Sequence, residues 1–339
     1  EGILLGLGHP LLDIIAPADQ TLLSRYGLNA NDSVRANETH TGLCRELTAN
    51  PKCQYIAGGS VQNTLRTAQW ILKQPYCTTF MGAIGDDEYG RIMTKVISGQ
   101  GVNFVAMVDQ TTGTGTSACL ISDKSRALVA YLGASQNIRI GHLLNNYNYV
   151  EKARYFYTSG YHVGIDPESI MNLAQHAHNA PGKLFCLNLS APYISQKLSK
   201  PLLELYPYVD ILFGNEAEVQ AFATLNGWQT NDVKEMTRLA ADMPSRRPTG
   251  RTVVITQGID AVLVATTGHL EVREFPVPVV PESEIVDTIG AGDAFVGGYF
   301  AQLVRHRPVD ACVRSGVYAA QQVIRQIGCQ FPPEMLFKC

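Results

Sequence analysis

The sequence lacks a Cys-x-x-Cys pair, a hydrophobic run long enough to span a bilayer and any excess of one charge. Each absence removes a class of function. The eight cysteines lie far apart with no histidines at metal-ligand spacing, so neither a disulfide framework nor a zinc site is expected, and a reducing compartment is. The opening Ile3-Leu4-Leu5-Gly6-Leu7 is apolar, but it is too short for a span and has neither a positive flank nor a small-residue cleavage site. No targeting or membrane segment is expected from it. The 27 lysines and arginines are scattered against 30 acidic residues, a formal net charge of −3, which leaves no basic stripe for nucleic acid. There is no internal repeat and no heptad run. Small molecules are the expected partners.

What is present suits an ordinary globular protein. With 339 residues, 45% of them hydrophobic, the chain can bury one large core, or one core and a smaller appendage. Short β-rich runs at Ile3–Gly8, Cys77–Ala83, Arg154–Ser159, Leu184–Leu189, Val209–Phe213 and Thr252–Thr256 read as strands buried on both faces. Between them, Val61–Lys73, Tyr89–Ser98, Pro167–Ala180, Asn215–Leu225 and Asp232–Met243 read as helices. This alternation predicts an α/β fold with a doubly wound, mainly parallel sheet and helices on both faces. Two stretches break the rhythm. Residues 14–61 are polar and irregular, and residues 111–135 hold the alternating runs Ser117–Ile121 and Ala127–Tyr131. They predict a small lid over a large unit made of residues 1–13, 62–110 and 136–339.

In an open α/β sheet, ligands sit beyond the carboxyl ends of the strands, so glycine-rich and polar residues following strands carry the functional signal. Gly290-Ala291-Gly292 precedes an amphipathic run to Val304, which makes it the first turn of a helix with free N–H groups and room for an anion. It is neither a Walker A loop nor a Gly-x-Gly-x-x-Gly fingerprint. Asp293 stands in the same turn. It is either a carboxylate favoured by the helix dipole or a base that accepts a hydroxyl proton late in phosphoryl transfer. Gly297 and Gly298 suggest close packing of that helix against the sheet.

Asp287-Thr288-Ile289-Gly290-Ala291-Gly292-Asp293-Ala294-Phe295 resembles the signature of the ribokinase-like family of carbohydrate and nucleoside kinases. The resemblance implies that Asp293 is the base, and that Gly290, Ala291 and Gly292 form the anion hole for the transferred phosphate. Ala57-Gly58-Gly59-Ser60-Val61-Gln62-Asn63 is similar to the family's N-terminal signature, and residues from Gly8 to Pro332 follow, in order, the segments of its adenosine-phosphorylating subgroup. That similarity implies adenosine and ATP as ligands. Asp13, Gly59 and Asn63 would hold the ribose 2′- and 3′-hydroxyls, with Gly58 and Ser60 beside them. Leu12, Cys119, Tyr161 and His162 would line the nucleoside pocket. Arg126 would reach from the lid to the phosphates. Asn188, Asn215, Thr256, Gly258 and Ala320 would lie on the nucleotide side. Asn215 and Glu218 would order magnesium through its water shell, or form a helix cap and capping box. A monovalent cation near the glycine loop, a monomeric state and a cytoplasmic or nuclear location rest on the same resemblance.

The sequence also departs from that subgroup. His9 replaces an asparagine, Ser33 and Arg35 replace a glutamine and an apolar residue near the purine, and Tyr161-His162 replaces a pair of phenylalanines. The ribose clamp survives these changes, while selectivity among purines is open to them. A sugar kinase of the same family and a non-catalytic nucleoside-binding protein are the competing expectations.

Overall fold

The computed structural model describes residues 1–29, 32–122 and 125–337. Its strands are β1 (Leu4–Leu7), β2 (Leu11–Pro17), β3 (Ser33–Arg35), β4 (Gln54–Gly58), β5 (Thr78–Gly85), β6 (Asn103–Asp109), β7 (Thr116–Ser122), β8 (Ser125–Tyr131), β9 (Tyr155–Ser159), β10 (Leu184–Asn188), β11 (Ile211–Asn215), β12 (Thr252–Gln257), β13 (Asp260–Thr266) and β14 (Arg273–Phe275). They form two sheets. The larger has nine strands in the order β14-β13-β12-β11-β10-β9-β1-β5-β6. All its neighbouring strands pair in parallel except β12 with β13 and β13 with β14, which are antiparallel.

The uninterrupted apolar runs of this sheet follow from burial on both faces. Along β1, Leu4 faces one core while Leu5 and Leu7 face the other; along β9, Tyr155 and Tyr157 face the first and Phe156 the second. The helices Ser60–Leu72, Glu88–Gly99, Ala291–Leu303 and Val309–Val323 cover the first face, and Pro167–Asn179, Glu216–Leu225 and Val233–Asp242 cover the second.

The smaller sheet has five strands, ordered β3-β8-β7-β2-β4. One of its faces, carrying Ile14, Ala16, Ala118, Leu120, Ala127 and Val129, is closed by apolar residues of the chain's own short helices Gln20–Arg25 and Leu43–Thr48. The other carries Asp13, Ile15, Ser117 and Cys119, since Asp13 pairs with Ser117 and Ile15 with Cys119 across β2 and β7. β2 straddles the boundary expected at residue 14, and it enrols Leu11–Asp13, three residues that the sequence grouped with the large unit. Asp13 is therefore an interior strand residue.

A second correction concerns Gly297 and Gly298. They admit helices and not the sheet: a methyl group on Gly297 would stand 2.4 Å from the Thr64 carbonyl oxygen of the Ser60–Leu72 helix, and one on Gly298 would stand 2.4 Å from the Ser315 carbonyl oxygen of the last helix. Ala291–Leu303 is thus wedged between two helices. No helix among the described residues is long and apolar enough to cross a membrane.

Candidate active site

Four segments converge beyond the carboxyl ends of the central strands: the turn after β1, the start of the Ser60–Leu72 helix, the turn after β9 and the start of the Ala291–Leu303 helix. Gly290 caps the last of these with φ at 80°, a left-handed conformation that glycine adopts without a Cβ penalty. Nothing lies within 4 Å of where a Gly292 side chain would point. The N–H groups of this helix start therefore border open space, as an anion cradle requires.

Asp293 sits in that first turn, facing the start of the Ser60–Leu72 helix. The Ser60 hydroxyl donates to its Oδ1 at 2.6 Å, and the Asn63 amide donates to its Oδ2 at 3.0 Å. Burial pushes the carboxyl up to about 6, against the pull of these two donors toward the ionised form. The charge of Asp293 is felt by Tyr157, Tyr161, Glu218 and Cys329, which places it at the centre of the cluster.

The Gly58–Asn63 segment links this carboxylate to a second one. A Cβ on Gly58 would stand 2.4 Å from Asp13 Oδ2, so only glycine lets β4 lie against that side chain. Gly59, with φ at 97°, turns the chain into the helix, and a Cβ there would strike the His9 carbonyl oxygen. Burial pushes the Asp13 carboxyl up to about 6, while Arg126, Arg66 and the Ser117 hydroxyl oppose that shift.

Arg126, on β8, is paired with Asp287, the first residue of the glycine motif, and donates to Cys119 Sγ at 2.9 Å. The same Asp287 accepts from the backbone N–H groups of Ile289 and Gly328, both at 2.9 Å. The small sheet is thereby tied to the glycine loop. Cys119 is fully buried on the Asp13 face of the small sheet, and its thiol is pushed up to about 12. Leu12 precedes Asp13 on β2 and packs with Ala57 and Val61 in the first core, so the structure does not bring it to Cys119.

After β9, Tyr161 is 40% exposed; its hydroxyl donates to the Ser190 carbonyl oxygen, and its ring lies 6.3 Å from that of Tyr193. His162 is fully buried instead, with Nδ1 3.2 Å from His9 Nε2, and His9 Nδ1 lies 3.1 Å from the Ser135 hydroxyl. Burial lowers both imidazoles, that of His9 to about 4, so the pair is neutral at physiological pH. Arg35 is bonded to Gln136, and its charge reaches His9 and Tyr193. The side chain of Ser33 lies outside the described residues.

On the other flank, the Asn188 side chain accepts from the Ser190 N–H at the end of β10. Asn215 and Glu218 form a reciprocal capping box, each side chain bonded to the other residue's backbone N–H. Glu218 is buried, which pushes its carboxyl up to about 7. Thr256 donates to the Gly214 carbonyl oxygen, and Gly258 follows in a left-handed turn with open space around it. Ala320 lies one helical turn before Ile324, whose carbonyl oxygen accepts from the N–H groups of Val286 and Asp287. Of these residues Glu218 lies within the reach of the Asp293 charge, and none is hydrogen-bonded to Asp293.

Three contributors carried little sequence signal. Arg66 and Tyr157 lie inside apolar-looking elements, and Cys329 lies beyond the last helix. Only the i, i+3 spacing of Asn63 and Arg66 on one helix face pointed to a pair.

A mainly parallel sheet bearing a bare helix start with its own carboxylate, set beneath a small second sheet, defines a phosphotransferase of ribokinase-like architecture. Residues 20–335 match the pfkB family carbohydrate kinase. Among curated relatives, adenosine kinase 2 of Arabidopsis thaliana is 40% identical over 98% of this chain and 96% of its own. The adenosine kinase of Schizosaccharomyces pombe is 38% identical over 97% and 96%. Among solved structures, Anopheles gambiae adenosine kinase in complex with P1,P4-di(adenosine-5) tetraphosphate superposes with a TM-score of 0.92 at 42% identity, covering 99% of both chains. Adenosine kinase from Schistosoma mansoni in complex with 2-fluoroadenosine gives 0.90 at 34% identity, covering 98% of both. The chain belongs to the pfkB carbohydrate kinase family, in its adenosine kinase group.

Proposed function

We propose that the protein transfers the γ-phosphoryl group of ATP to the 5′-hydroxyl of adenosine, giving AMP and ADP. The observation that carries this reading is the Asp293 carboxylate, held by Ser60 and Asn63 beside the open N–H groups of a glycine-capped helix. The 5′-oxygen forms its bond to the γ-phosphorus while the bond to the β-bridging oxygen breaks, and ADP leaves with that electron pair. Asp293 orients the hydroxyl and accepts its proton late in the step. The N–H groups of Gly290, Ala291 and Gly292 meet the charge on the moving phosphoryl oxygens.

Asp13 clamps the ribose diol from the small sheet, and Gly58, Gly59 and Asn63 present backbone and amide groups beside it. Tyr161, with Tyr193 next to it, offers an exposed aromatic surface to the base. Cys119 lines the same side, whereas His162 acts from beneath Tyr161 through His9. Leu12 supports the clamp from within the core. Arg126 reaches the phosphates from β8. Asn188, Asn215, Thr256, Gly258 and Ala320 border the nucleotide.

A hydrated magnesium ion carried by the nucleotide fits the donor set. No group of three histidine, cysteine, aspartate or glutamate residues suited to a metal occurs among the described residues, and Glu218 presents a single buried carboxylate near Asp293. Magnesium would neutralise phosphate charge, with Glu218 and Asn215 ordering its waters. A monovalent cation beside the glycine loop belongs to the same reading.

We take residues 14–61 and 111–135 as a lid that closes over the nucleoside and excludes water. We take the chain to act as a monomer in a reducing compartment such as the cytoplasm. One face of the small sheet is covered by its own helices and the other addresses its own glycine loop, while Cys44, Cys53, Cys77, Cys119, Cys186 and Cys329 form no disulfide.

The test sets adenosine, inosine, ribose and fructose side by side as acceptors for ATP. Adenosine should be phosphorylated far faster than the others; preference for a free sugar would move the protein to the sugar kinases. Asp293→Asn should then lower kcat by about 10²–10⁴ with adenosine affinity nearly intact. Binding of adenosine without any turnover in the wild type would leave a nucleoside-binding protein.

A further inference from the structure

An asparagine amide is a donor at one end and an acceptor at the other, and its shape does not distinguish the two. Asn63 serves Asp293 only with Nδ2 toward it, as it stands here at 3.0 Å, since the oxygen in that place would oppose the carboxylate. The group that decides between the two orientations lies one helical turn further on. Arg66 is 2% exposed, and its Nη1 donates to Asn63 Oδ1 at 3.3 Å. A guanidinium has no acceptor, so it bonds to Asn63 only while the amide oxygen faces it, and the amino group is then left for Asp293.

Arg66 is itself fixed from three sides. Its Nε donates to Gln100 Oε1 at 2.6 Å, its Nη1 also donates to the Ala57 carbonyl oxygen, and its guanidinium carbon lies 5.4 Å from the Phe331 ring centre. The Ala57 bond holds the turn that leads into Gly58 and Gly59. A buried cation is tolerated only while its donors are satisfied, and one of the Arg66 donors is satisfied by the Asn63 amide oxygen.

We propose that Arg66 is a positioning residue that locks the Asn63 amide with its amino group toward Asp293. This rests on the reading of Asp293 as the base. Arg66 has no hydrogen bond to Asp293, and it acts on that carboxylate through Asn63.

The test is the acid limb of kcat/KM for adenosine in five proteins: wild type, Arg66→Met, Arg66→Lys, Asn63→Ala and the double variant Arg66→Met/Asn63→Ala. The charged or polar groups that face Asp293 are Ser60 and Asn63 from one helix, Tyr157 from β9, Tyr161 after it, Glu218 across the site and Cys329 from the C-terminal segment. All but Asn63 are common to the five proteins. With the amide free to turn, the ionised base loses one charge-assisted hydrogen bond for part of the time, so Arg66→Met should move the limb upward by about one pH unit. Arg66→Lys, which restores a donor, should return it toward the wild type. In the Asn63→Ala background, Arg66→Met should produce no further shift.

Arg66 also acts on Asp13 through its charge, and that route would give additive shifts in the double variant. Additive shifts, or a limb unmoved in Arg66→Met, overturn the proposal. Should Arg66→Met fail to fold, Gln100→Leu decides in its place: it keeps the guanidinium but removes its Nε anchor. A smaller upward shift supports the proposal there and an unmoved limb overturns it. Failure of the underlying reading is seen separately, as an Asp293→Asn protein that retains turnover.

Discussion

A carboxylate at a helix start is ordinarily held ionised by the unpaired N–H groups around it, yet Asp293 is pushed up to about 6 because burial outweighs its two hydrogen-bond donors. A folded-state pKa above the ordinary carboxylate value means that the folded protein binds this proton more tightly than the unfolded chain. The associated stability is fully present below about pH 4 and is lost as pH rises through about 6. With Asp293 as the proposed base, activity runs the opposite way, since only the ionised carboxylate accepts a proton, and kcat/KM should fall as pH drops through about 6. Asp293→Asn keeps the position neutral at every pH. Without ligands it should be more stable than the wild type by up to about 3 kcal/mol at pH 8, with the advantage shrinking toward nothing near pH 4. Urea unfolding at a series of pH values measures this; a difference independent of pH would mean that the carboxylate is solvated after all. Asp293 was legible as a candidate base because its neighbours in sequence, Gly290 and Gly292, are also its neighbours in space. The arginine that sets Asn63 was not, because a buried cation inside a helix gives the same letter pattern as a solvated one.

At the scale of elements, one helix carries two kinds of glycine that a sequence pattern presents alike. Gly292 opens onto empty space at the helix start, whereas Gly297 lies against the backbone of the Ser60–Leu72 helix, with Thr64 O at 2.4 Å and Thr67 Cβ at 2.5 Å from a built Cβ. Alanine at the two positions should therefore separate activity from stability. Gly297→Ala forces two packed helices apart and should cost about 1–3 kcal/mol in denaturant unfolding. Gly292→Ala should leave the unfolding midpoint unchanged and lower kcat by about 10²-fold, since its methyl group stands where phosphoryl oxygens would meet the N–H groups. Equal losses of stability in both variants would count against the open cradle. The strands of the large sheet were legible as unbroken apolar runs because two helical layers bury both faces. β2 was not, because Asp13 interrupts its apolar run, and the partners that satisfy that acid, Ser117 and Arg126, come from β7 and β8 more than a hundred residues away.

At the scale of the molecule, the small sheet is joined to the glycine loop by a buried ion pair. Arg126 and Asp287 each keep 9% of their side-chain surface exposed, and the Asp287 carboxylate also holds the glycine loop at Ile289 and the C-terminal turn at Gly328. Removing one partner of such a pair leaves a desolvated charge behind, which costs more than the pair itself contributes. Asp287→Asn should therefore destabilise the unliganded protein by about 3–5 kcal/mol, because the Cys119 thiol is a poor replacement for a carboxylate on the Arg126 guanidinium. The same substitution shows where Arg126 goes next. If that guanidinium passes to the phosphates when nucleotide binds, the triphosphate supplies the anion that the variant lacks, and ATP compensates for the lost pair. Saturating ATP should then raise the melting temperature of Asp287→Asn by more than it raises that of the wild type, by the linkage of binding to folding. Equal shifts in the two proteins would show that Arg126 keeps its place on the small sheet throughout, leaving the helix N–H groups to hold the phosphates without it.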